Sequence, residues 1–268
     1  MSKAVLKGFC IFVALCFLMP IVMQISVGVE GKMPEGIRAA GGEKGKPGGG
    51  GGGHGGGGGS EPATNKVALV IGISNYDGTR YDLQYCDDDA RDWANYLKGK
   101  GYTVHTLIDG QATYNNIASE IDWLNSAENA GDEVAFCYAG HGIKERKLGS
   151  CILTSDLYKV SYKWFVDKFS TFSSAKIFFC FDACQIGDMR SLGTNGRFVA
   201  MASNTNSYSY DGTSSMSNGV FTYYYMEALE KQGYTTAEGA FDYAEYKSES
   251  TYNMDCTSAD GYTGELVF

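Results

Sequence analysis

Apolar and polar positions along the chain change rhythm at Lys66. From there, short continuous apolar runs alternate with stretches of helical spacing. Residues 67–73 are uninterrupted apolar positions (Val-Ala-Leu-Val-Ile-Gly-Ile), the pattern of a strand buried on both faces. Residues 87–97 set Ala90, Trp93, Ala94 and Leu97 on one helical face. Three aspartates open that stretch, where the helix dipole favours anions, and Gly99 and Gly101 close it. Strand, helix and strand follow over 102–107, 114–128 and 133–138, with Ile117, Ile121 and Leu124 in helical register. Residues 151–154 read as one arm of a short hairpin and 162–169 as a helix. Further strands are expected over 176–181 and 198–202, and late helices over 221–230 and 237–246. Repeated alternation predicts an α/β domain over 66–268: an open, mostly parallel sheet with helices on both faces.

Upstream the pattern is different. Lys3 and Lys7 precede an almost uncharged run over 8–29, so residues 1–29 read as a secretory signal peptide and the protein as secreted or held at the cell surface. The same run is about long enough to cross a bilayer, so an uncleaved membrane anchor is the rival reading and the only expected contact with a membrane. Residues 30–65 follow as a Gly-rich flexible linker: its two glycine blocks, 48–53 and 55–59, have no side chains to bury.

Charge narrows the partners. The chain carries a formal charge of −9, and from Lys66 onward 16 basic side chains face 27 acidic ones. An acidic domain does not bind nucleic acid through phosphates, but it attracts basic peptides. Of eight cysteines, Cys10 and Cys16 lie in the leader. The other six include Cys137 and Cys180 inside apolar runs, where free cysteine behaves as a small hydrophobe, so no disulfide framework is expected. No Cys-x-x-Cys pair suggests structural zinc.

Two of the apolar runs end in reactive residues. Phe136-Cys-Tyr-Ala-Gly-His141-Gly142 ends in a histidine, and Ile177-Phe-Phe-Cys-Phe-Asp182-Ala-Cys184 in a cysteine 43 positions further on. Groups at the ends of neighbouring parallel strands converge on one crevice. A thiolate beside an imidazole can attack a carbonyl and then protonate the leaving amine. Glycines at 140 and 142 allow close approach of a substrate, and the backbone N–H groups of Gly142 and Cys184 are natural donors to an oxyanion. The bland reading of Cys184, one more buried thiol, sits poorly with its place after a strand and behind Asp182. His105 alternates within a strand and reads as structural or exposed.

These residues resemble the caspase-like cysteine peptidases of clan CD, the metacaspase branch above all. The matching pieces are Ala68-Leu-Val-Ile-Gly-Ile73, Leu83-Gln-Tyr-Cys86-Asp-Asp-Asp89-Ala90, Tyr138-Ala-Gly-His141-Gly142 and Asp182-Ala-Cys184. A further stretch, Gly219-Val-Phe-Thr222, resembles the small-subunit region. The resemblance implies a caspase-like α/β sheet and a cysteine endopeptidase with His141 and Cys184 as its dyad. It implies a pocket for Arg or Lys lined by Asp182 and Asp89, with Asp211 as an added acid, and hence protein or peptide substrates with basic residues. It also implies activation by self-cleavage after Arg190 or Arg197.

The chain departs from the family pattern in three places. Cys184-Gln-Ile-Gly187 replaces Cys-His-Ser-Gly, and Ala139 replaces a serine. The acidic cluster that binds activating calcium is incomplete: Asp156 fits, Phe172 and Ser173 stand where an acidic pair is expected, and Asp188 is displaced. No metal or other cofactor is therefore expected, with calcium activation left open as the weaker alternative. Two other readings compete. A catalytically silent caspase-like interaction module would not need both His141 and Cys184. A doubly wound cofactor-binding domain would need Gly-x-Gly-x-x-Gly after the first strand, where Gly72-Ile-Ser-Asn stands.

Overall fold

The structure is a computed structural model that describes residues 64–268. The leader expected over 1–29, and the linker over 30–65 apart from its last two residues, lie outside the described residues. The elements run β1 (Lys66–Gly72), α1 (Cys86–Gly99), β2 (Thr103–Ile108), α2 (Tyr114–Ala127), β3 (Glu133–Ala139), β4 (Gly142–Glu145), β5 (Gly149–Leu153), β6 (Lys159–Ser161), α3 (Tyr162–Phe169), β7 (Ile177–Asp182), β8 (Arg197–Met201), α4 (Val220–Glu230), α5 (Ala237–Tyr252) and β9 (Thr257–Asp260). The main sheet has the order β2-β1-β3-β7-β8-β9, parallel but for β9. Strands β4, β5 and β6 make a separate antiparallel sheet.

Strand alternation divides the core in two. Ala68, Val70, Ala135, Cys137, Phe178 and Cys180 face α1, α4 and α5. Val67, Leu69, Ile71, Phe136, Tyr138, Phe179 and Phe181 face α2 and α3. Inside their charged end residues Lys66, Glu133 and Asp182, the central strands are therefore apolar throughout, which is why their sequences read as unbroken runs. Side-chain caps start three helices: Thr113, Ser161 and Thr236 accept from Asn116, Trp164 and Gly239 N–H, respectively. Helix α5 runs to Tyr252, past the expected end at 246, and stops where Asn253 turns left-handed at φ 54°.

The site follows from connectivity. β1 lies between β2 and β3, so the chain leaves it in opposite directions, and a crevice opens at the carboxyl ends of β1 and β3. β7 pairs with β3 directly, with Ala139 opposite Asp182. Among the described residues no helix is long and apolar enough to cross a membrane.

Candidate active site

Two residues beyond Ala139 stands His141, and two beyond Asp182 stands Cys184. The β3–β7 register thus brings the two residues to the ends of neighbouring strands, which lie about 4.8 Å apart. The alignment survives past the strand ends because Gly140 N–H donates to the Asp182 carbonyl at 3.1 Å. Gly142 then packs on the backbone of Cys184: a Cβ there would come within 2.0 Å of the Cys184 carbonyl oxygen. Only glycine allows this approach.

His141 is held on all sides. Its backbone N–H donates to the Tyr76 hydroxyl at 2.8 Å, and the Tyr76 ring lies 4.9 Å from the imidazole. The Tyr138 hydroxyl reaches the His141 and Leu153 carbonyls, both at 2.9 Å. On the ring, Nε2–H donates to the Tyr81 carbonyl at 2.8 Å. A carbonyl can only accept, so this bond fixes the tautomer and leaves Nδ1 as the basic nitrogen. Burial pushes the His141 pKa below that of an exposed imidazole, and the Tyr81 bond opposes the shift. At neutral pH the ring is a neutral base.

Cys184 is half-buried, and its thiol donates to the Ser209 carbonyl at 3.4 Å. Cys86, Cys137, Cys151 and Cys256 are buried, as is Cys180, and burial pushes the thiol pKa of all five up. All six cysteines of the domain are thiols rather than disulfides. Beside Cys184, the N–H of Gly142 is aimed away from β5. Leu153 N–H bonds the His141 carbonyl at 3.0 Å, so the next pair, Gly142 and Ile152, is a non-hydrogen-bonded one. A donor freed from its ladder at this point suits an oxyanion.

The acids converge behind the nucleophile. Asp182 Oδ1 accepts from Ser209 Oγ, and its Oδ2 accepts from Thr222 N–H at 3.0 Å and Thr222 Oγ1 at 2.8 Å. Asp89 Oδ1 accepts from Gly219 N–H at 2.9 Å, while its Oδ2 is buried with no hydrogen-bond partner. A Cβ on Gly219 would meet both remaining oxygens, Asp182 Oδ2 at 2.7 Å and Asp89 Oδ2 at 3.0 Å. Burial, and then the neighbouring Asp182, push the Asp89 carboxyl well above the usual range. Burial raises Asp182 as well, against its three donors. Asp211, raised by burial and by Asp182, accepts from Gln84 N–H at 3.3 Å and bridges to Gly219 through its backbone. Asp89 is 1% exposed and Asp182 6%, so both carboxylates are covered from solvent.

Likeness to known proteins decides the family. The model of the caspase domain, peptidase family C14, matches residues 65–258.

The chain belongs to the caspase-domain family.

Curated relatives are metacaspases. Metacaspase-1 of Plasmodium falciparum is 37% identical over 97 residues, which cover 32% of this chain and 16% of that protein. Metacaspase-1 of Mycosarcoma maydis is 36% identical over 84 residues, 28% of this chain and 21% of that protein. The matches therefore span well under two thirds of either relative. Among solved structures, protein GSU0716 from Geobacter sulfurreducens aligns with a TM-score of 0.63 at 16% identity, over 76% of this chain and 97% of that one, and supports the fold.

The caspase domain brings together His141, Cys184, Gly142, Asp89, Asp182 and Asp211, all read from the sequence. It does not place Arg190 and Arg197 in an open loop. Arg190 lies in a 3₁₀ helix, Gly187–Leu192, with Nε–H donating to the Gly187 carbonyl at 2.7 Å and a terminal N–H to Asn204 Oδ1 at 2.7 Å. Arg197 opens β8 and donates to the Phe169 carbonyl at 2.6 Å. The apolar residues around them, Met189, Leu192 and Phe198, are buried and pack this stretch against the core. Asp156 and Asp188 are engaged in backbone bonds, to Tyr114 N–H and Ser150 N–H. Among the described residues no three His, Cys, Asp or Glu side chains gather as a metal site. Sequence reading missed Tyr76, Tyr81, Ser209 and Thr222. Tyr81 acts through a carbonyl, which every residue has, so no residue type marks it.

Proposed function

We propose that this caspase domain is a cysteine endopeptidase that cuts after Arg or Lys through Cys184 and His141. The observation that supports the reading is the β3–β7 register, which ends two residues short of both His141 and Cys184, near a buried carboxylate with an unused oxygen. His141 Nδ1 takes the thiol proton and the thiolate adds to the scissile carbonyl. The N–H groups of Gly142 and Cys184 receive the oxyanion. His141 returns the proton to the departing amine as the C–N bond breaks. Water, deprotonated by His141, then cleaves the thioester and releases the acid. Asp89 Oδ2 and Asp211 neutralise the substrate's cation, while Asp182 orients the pocket by holding Ser209 and Thr222. No metal or other cofactor takes part. Export by the N-terminal segment would deliver the enzyme to the cell exterior, where protein substrates with basic residues are its partners.

The test is hydrolysis of fluorogenic peptides ending in Arg, Lys or Asp by wild type and Cys184→Ala, with and without calcium. Calcium-independent turnover of the Arg and Lys peptides, abolished in the variant, is expected. A preference for Asp would refute the pocket, and no turnover of any peptide would favour a silent interaction module.

A further inference from the structure

Gln185 follows the nucleophile, and its main chain is forced into the left-handed region at φ 53°. A non-glycine residue there costs about 1 kcal/mol or more and persists only where neighbours hold it. Three bonds do so. Gln185 N–H donates to the Ser207 carbonyl at 2.9 Å, its carbonyl accepts from Ser150 Oγ at 2.6 Å, and its Oε1 accepts from Lys144 N–H at 3.1 Å. The last bond also orients the amide, because a backbone N–H must face the oxygen and not the nitrogen. Only the Nε2 hydrogens of this locked side chain are left without an acceptor among the described residues.

Their location gives them a use. Gly142 and Lys144 occupy alternate, non-hydrogen-bonded positions of β4, so both N–H groups point to the same outer edge, about 7 Å apart. Gly142 N–H is the donor to the scissile carbonyl in the reading above. In an extended substrate the next carbonyl on that side belongs to the second residue beyond the scissile bond, again about 7 Å away. It would meet Lys144 N–H, but Gln185 Oε1 already holds that donor. The amide stands in between and presents its own N–H instead. The placement agrees: Asp89 lies in α1 and Asp182 bonds the start of α4, whereas Gln185 bonds β4, the strand that His141 leads.

We infer that Gln185 Nε2 donates to the main-chain carbonyl of the second residue on the leaving side, so that the enzyme reads peptide beyond the bond it cuts. This inference rests on the peptidase reading. Its test compares two substrates with the same acyl half ending in Arg. One carries an aminocoumarin directly on the scissile carbonyl; the other is a quenched peptide with three residues beyond it. Gln185→Glu keeps the acceptor for Lys144 N–H and removes the donor, and Gln185→Leu removes both. In each variant the ratio of kcat/KM for the long over the short substrate should fall about 3- to 10-fold, the effect of one lost neutral hydrogen bond. A ratio unchanged in both variants, whether activity is kept or lost equally on the two substrates, overturns the inference and leaves the peptidase intact. Wild-type protein with no turnover that depends on Cys184 overturns both. Thermal unfolding of the variants is followed in parallel, and Gln185→Glu decides if Gln185→Leu fails to fold.

Discussion

Asp89 and Asp182 look alike in sequence, each a carboxylate near a strand or helix end, yet they do different work. Asp182 is saturated by three donors, whereas Asp89 keeps one buried oxygen bare. A bare buried oxygen costs about 1–3 kcal/mol, and the raised pKa of Asp89 means that its charge opposes folding. The sign is set by that direction. The contribution of the protonated acid is fully present below the unfolded-state pKa and is lost as pH rises through the higher folded value. Asp89→Asn should therefore stabilise the domain at pH 7, since its amide oxygen can keep the Gly219 bond and the variant buries no charge. Differential scanning calorimetry should show a rise in Tm of several degrees, at about 2–4 °C per kcal/mol for a domain of this size, shrinking toward pH 4. Turnover of Arg peptides should fall at least tenfold, as a charge-assisted contact is lost. A variant that is less stable at pH 7 would show that Asp89 is paired in solution.

Elements with a pronounced pattern were legible. The strands that become β1, β3 and β7 read correctly because burial on both faces leaves no polar position to confuse the period. Helix α3 matched at both ends because Ser161 caps it and its apolar spacing is regular. β4, β6 and β9, of three or four residues, were not legible: a run that short carries too few alternations to set a period. The polar end of α5 was misread as a stop, since Lys247-Ser-Glu-Ser-Thr251 has weak helix formers on its exposed side, yet Ala244 and Ser248 still pack inward. One contact between elements can be tested directly. Gly72 ends β1 under α1, and a Cβ there would stand 2.1 Å from the Cys86 carbonyl oxygen and 2.6 Å from Ala90 Cβ. Gly72→Ala must lift the start of α1, which carries Asp89. Overpacking of this kind costs about 1–3 kcal/mol, so Tm should fall by about 2–12 °C. Activity toward Arg peptides should fall with it; an unchanged Tm would mean that α1 rides more loosely on the sheet than the structure shows.

At the scale of the whole domain, the question is where the chain can be cut. A peptidase needs several residues in extended form around the bond it cleaves, so ordered segments resist unless they open locally. The stretch between Cys184 and β8 bears the two arginines suggested by resemblance to the family, but it is ordered: Arg190, though exposed, lies in a 3₁₀ helix, and Arg197 opens β8. The Arg190 carbonyl accepts from Gly193 N–H at 2.9 Å, the Arg197 carbonyl accepts from Gly261 N–H at 2.9 Å, and Arg197 pairs with Ile177 of β7. The tip of the β4–β5 hairpin is the opposite case: Arg146 and Lys147 are exposed in a turn, followed by an exposed Leu148. Brief digestion of native Cys184→Ala protein with trypsin should therefore cut the domain first after Arg146 or Lys147, as mass spectrometry of the early fragments can establish, and later, if at all, after Arg190 or Arg197. The variant has no activity of its own in this reading, so the pattern reports accessibility alone. Early cuts at 190 or 197 would show that this segment opens readily and would restore it as a self-processing loop.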